Sequence, residues 1–78
     1  MYEYNRNWPP ELNQAELLRY RAECKVRCLT AALDRTPPEA FDALMRQIEQ
    51  AQQELHLASN HRFNCLCQWI DAQIKEEA

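Results

Sequence analysis

Cys24 and Cys28 stand four residues apart, and His61 and Cys65 repeat that spacing farther along the chain. On a helix such a spacing puts both members of a pair on one face, and three thiolates with one imidazole are a ligand set for tetrahedral zinc. Cys24, Cys28, His61 and Cys65 are therefore the candidate metal ligands. Cys67 is excluded from them, because two residues along a helix it points nearly opposite to Cys65. His61 and Cys65 also have the types of a base and a nucleophile, which need a third, orienting group and a pocket to become catalytic. The other hydroxyls and imidazoles, Thr30, Thr36, Ser59 and His56, are scattered. The expectation is a non-enzyme without a cofactor, its cysteines reduced and packed as small apolar side chains.

The elements that carry these residues are bounded first by what is missing. The chain has 78 residues and no glycine, so phosphate-cradling loops, dinucleotide turns and nucleophile elbows are excluded. Nine basic against twelve acidic residues leave a net charge of −3, which argues against a phosphate-binding surface. Arg19, Arg21, Lys25 and Arg27 crowd one segment, yet at about 100° per residue they fan out around a helix instead of forming a stripe. Residues 1–10 lack an apolar leader, and no run approaches the roughly 18 apolar residues of a membrane span. A cytoplasmic protein with four thiols and no membrane contact is expected.

Trp8-Pro9-Pro10-Glu11 and Thr36-Pro37-Pro38-Glu39 punctuate the chain as two helix starts. In the second, Thr36 is placed to cap and Glu39 to close a capping box, with proline in the first turn, where no amide donor is needed. The reading is all-α: a non-helical aromatic arm over 1–10, then one helical domain over 11–78, with a helix over 11–35, a turn at 36–37 and a helical segment over 38–76. Folding at the turn aligns Leu33 with Phe41, Leu29 with Leu44 or Met45, Val26 with Ile48, Ala22 with Ala51, Leu18 with Leu55 and Ala15 with Ala58. That register predicts an antiparallel αα-hairpin. It also separates Cys28 from Cys65 by about 25 to 30 Å along the axis, at 1.5 Å per residue, which counts against the metal site.

The second helical segment outruns the first by about 20 Å at the same rise. The overhang carries Phe63, Leu66, Trp69, Ile70 and Ile74, too much apolar surface to leave in water. Helix one has a second apolar row of its own, Leu17, Tyr20, Cys24, Cys28 and Ala31. Two architectures answer this. In one the long hairpin stays intact and dimerises into a helical bundle, with Phe63, Leu66, Trp69, Ile70 and Ile74 at the interface. In the other the chain breaks near Ser59-Asn60, where both residues are good N-caps, and forms a monomeric three-helix bundle. The first is favoured, because the 3-4 apolar spacing keeps its phase past Arg62.

Cys24-x-x-x-Cys28 resembles one half of the twin cysteine pairs of the small chaperones of the mitochondrial intermembrane space. Cys65-Leu66-Cys67 departs from the other half, so nothing of that family is carried over. What the sequence leaves is recognition by surface: a small adaptor or inhibitor that docks on a larger protein, with Tyr2, Tyr4 and Trp8 of the arm and Leu17 and Tyr20 of helix one as contact residues. The alternatives are a small dimeric nucleic-acid-binding regulator using the four basic residues, and a zinc-binding helical module.

Overall fold

The computed structural model describes residues 4–77. They form an antiparallel hairpin of two helices with no strand, about 60 Å long. The first helix, α1, spans Pro10–Ala31, and the second, α2, spans Phe41–Glu77. Two short 3-10 turns, Ala32–Arg35 and Pro38–Ala40, carry the chain between them.

The prolines set both starts. Pro9 is extended at φ −64°, ψ 156°, and its carbonyl accepts the amides of Leu12 and Asn13 at 3.1 and 3.2 Å, opening α1 without a side-chain cap. Pro37 does the same before α2, accepting the Ala40 amide at 3.0 Å. The expected capping box does not form. Thr36 is extended, as the residue before a proline must be, and its hydroxyl donates back to the Ala32 carbonyl at 2.6 Å. It therefore closes the end of the first arm of the hairpin instead of opening the second. The last turn of that arm tightens to 3-10 geometry, so the α-helical part of the expected 11–35 helix ends at Ala31.

α2 runs through Ser59 and Asn60 without a break, so the three-helix alternative is not adopted. An N-cap contributes only about 1 kcal/mol. Here that preference competes with an apolar stripe that continues along α1 on both sides of those residues.

The interface between the helices is narrow. Among the described residues Leu12, Ala15, Ile48 and Ala51 are the buried apolar ones, and Leu12, at 0% exposure, is the largest that is fully buried. Three of these four lie on the aligned rows; Leu12 lies beyond the last of them. Leu18 and Phe41, aligned with partners in the sequence, remain exposed, because a two-helix interface covers only the centre of each stripe and leaves its edges wet.

The N-terminal arm folds onto α1 through Asn13. This residue is 3% exposed; its Oδ1 accepts the Asn5 amide at 3.0 Å, and its Nδ2 donates to the carbonyls of Asn5 at 2.9 Å and Trp8 at 3.4 Å. Asn5 in turn accepts the Asn7 amide on its own side chain at 2.9 Å, an Asx turn that reverses the arm.

Candidate interaction surface

The four candidate metal ligands are not brought together. Cys24 and Cys28 sit on α1, at levels of the hairpin more than about 20 Å from Cys65 by the helical rise. Among the described residues no group of three or more His, Cys, Asp or Glu is placed to hold an ion, and all four cysteines are free thiols. His61 Nε2 and Cys65 Sγ approach to 3.7 Å on the exposed side of α2. The other histidine, His56, receives the Asn60 side-chain amide at 3.3 Å. The two imidazoles thus serve separate i,i+4 pairs.

Three of the four basic residues of α1 are tied into ion pairs, and Arg21 is exposed. Arg19 reaches Glu16 at 2.6 Å and Glu23 at 2.9 Å, Arg27 reaches Glu23 at 2.9 Å, and Lys25 crosses to Glu54 of α2 at 3.1 Å. Arg62, the one polar residue interrupting the apolar stripe of α2, crosses the interface and bonds Glu16 through its Nε. Burial by itself would raise the Glu16 carboxyl, but the hydrogen bonds and charges of Arg19 and Arg62 outweigh it and hold the group below its ordinary value. The hydrogen bonds that Arg19 donates to Glu16 raise the guanidinium in turn. An alternating ladder, Arg62, Glu16, Arg19, Glu23, Arg27, runs along one side of the hairpin.

The apolar residues of the overhang divide into two sets. Trp69 is half-buried beside the arm, lining with Pro9, Leu12, Cys65 and Ala72 a groove of about 490 Å³. Phe63, Ile70 and Ile74 face elsewhere and are open, at 61%, 42% and 60% exposure, with Leu66 half-buried between the two sets. Trp69 therefore belongs to the closed end of the molecule rather than to the open strip with which the sequence groups it. Cys67, not singled out as an interface residue, lies on the strip by its spacing from Phe63 and Ile70.

On α1 the second row holds Leu17, Tyr20 and Cys24, all half-buried, and Cys28, exposed. These residues cluster roughly 140° to 220° around the helix from Ala15, away from α2, at 100° per residue. Tyr20 pairs with the Cys24 thiol, which raises the phenol above its ordinary value. Tyr4 of the arm is exposed and Trp8 half-buried, while Tyr2 lies outside the described residues. No described helix is long and apolar enough to cross a membrane.

Sequence reasoning missed Asn13 and the role of Arg62. For Arg62 the signal was present: one cation in an otherwise apolar stripe, at a level where α1 offers Glu16. Asn13 gave a fainter one, a third asparagine close behind the turn-forming Asn5 and Asn7. No protein-family profile, curated protein or solved structure matches the chain.

Proposed function

We propose that this protein is a non-enzymatic interaction module, a small adaptor or inhibitor that docks its helical surface on a larger protein. The observation that carries the reading is the outer row of α1. Leu17, Tyr20 and Cys24 form an apolar strip on the side of the helix that α2 does not cover. Aromatic and aliphatic residues at such spacing are the anchors by which one helix seats in another protein's groove. The exposed Tyr4 adds a further aromatic contact on the arm.

The competing nucleic-acid reading is disfavoured by the ion pairs, since Arg19, Lys25 and Arg27 are each engaged with a carboxylate. Four free thiols suit a reducing compartment such as the cytoplasm. The test is photo-cross-linking in the native cell from a benzophenone side chain at position 17, with and without Tyr20→Asp. One protein adduct whose yield is kept when salt is raised before irradiation, lost in the Tyr20→Asp chain but kept in Leu57→Asp, supports the proposal. Adducts that are mainly nucleic acid, with a yield that falls steeply as salt is raised before irradiation, overturn it.

A further inference from the structure

We infer that one side of the C-terminal part of α2 is the seam of a homodimer, in which the row Phe63, Cys67, Ile70 and Ile74 meets the same row of a second copy in antiparallel order. The inference stands apart from the docking row on α1.

Surface area is the first ground. A compact monomer of 9.3 kDa exposes about 5,000 Å². This chain exposes 6202 Å², about 1,200 Å² more, and its radius of gyration of 16.9 Å compares with about 11.5 Å for a compact chain of 78 residues. The excess exceeds the roughly 800 Å² that each partner contributes to a standard interface. Chains this small reach adequate stability through disulfides, a structural metal or association. The thiols here are free and the described residues hold no metal cluster, while four apolar residues make up the buried core. Association supplies the rest. Its partner must be on hand wherever the chain folds, and a second copy of the chain meets that condition by itself.

Spacing and charge are the second ground. Positions 63, 67, 70 and 74 follow a 4-3-4 rhythm on one side of α2, the spacing of a helix-packing seam. The rhythm reads the same in both directions, as an isologous two-fold contact requires. An axis between Gln68 and Trp69 sets Phe63 opposite the partner's Ile74, and the short Cys67 opposite the partner's Ile70. A parallel pair would instead set Asp71, which flanks the strip, against the partner's Asp71, like against like.

Sedimentation equilibrium on the full chain at about 50 µM tests the seam. The expected mass is two chains, with at least a tenfold weaker association in Ile70→Asp, because a carboxylate would be buried without a partner. Leu57→Asp, on another side of α2, is expected to keep the dimer. Should Ile70→Asp unfold, trapping decides: in a chain with Cys24, Cys28 and Cys65 changed to alanine, Ile70→Cys places a thiol level with the partner's Cys67. Diamide should then convert most of it to a covalent dimer, far more than it converts the same background with Ile70 retained. A monomeric wild type, a dimer indifferent to Ile70→Asp, or equal cross-linking in both backgrounds overturns the seam and leaves the docking row of α1 untouched.

Discussion

The closed end of the hairpin and the open strip beside it on α2 differ in one respect. Near the start of α1, polar groups close over the apolar ones: Asn13 binds the arm, Arg62 crosses to Glu16, and beneath them Leu12 is fully buried. On another side of the same stretch of α2, Phe63, Ile70 and Ile74 have the same kind of side chain and no such cover. Composition does not distinguish the two. A buried polar residue with all its bonds made fixes one geometry, whereas an apolar strip accepts any matching surface. The closed end therefore specifies the fold, and the open strip is the part that the proposed dimer would cover.

Removing the largest buried side chain is the hardest strain on that comparison. Leu12→Ala should destabilise the hairpin by about 2–5 kcal/mol in urea unfolding. Leu57→Ala, at a position 67% exposed and off the proposed seam, should change it by less than about 0.5 kcal/mol. Equal effects would mean that the closed end is not a core. Asn13→Leu follows, with an expected loss of about 1–3 kcal/mol, because the Asn5 amide and carbonyl would lose their buried partner. Hydrogen exchange at the Asn5 and Trp8 amides should rise in that variant while amides in the middle of α2 stay protected. Protection unchanged at both positions would show that the arm is held by something else.

The smallest expected effect is the dependence on pH. The folded Glu16 carboxyl lies below its ordinary value of 4.5, so the folded state favours the ionised form. Its stabilising contribution is complete above the unfolded value and is lost as pH falls through the folded one. Wild type should therefore lose more stability than Glu16→Gln between pH 6 and 3, read from urea midpoints at each pH. Parallel losses would show that the bonds of Glu16 to Arg19 and Arg62 contribute nothing measurable.

The hairpin and its turn were legible because they depend on two strong local signals, proline pairs and apolar spacing. Asn13 was not, because its role depends on an arm that arrives from eight residues upstream and bonds through main-chain atoms, which carry no residue identity. Thr36 was misread because two nearby backbone ends compete for one hydroxyl, and sequence spacing favours the wrong one. Trp69 was separable from Ile70 by spacing, since it continues the stripe through Arg62 and Cys65 and Ile70 stands about 100° away from it around the helix; the overhang argument grouped the two because both lie past the expected end of helix one.

The unbroken length of α2 sets a reach. Paired about an axis between residues 68 and 69, two chains would hold their hairpin turns about 95 Å apart and their α1 rows about 40 Å apart, at 1.5 Å per residue along the helix. Such an object is a stiff bivalent rod. A target that presents two grooves at the shorter separation would be held by both at once, and the second contact would form at an effective concentration set by the rod instead of by the bulk solution. A helix broken at Ser59 would have no such fixed span.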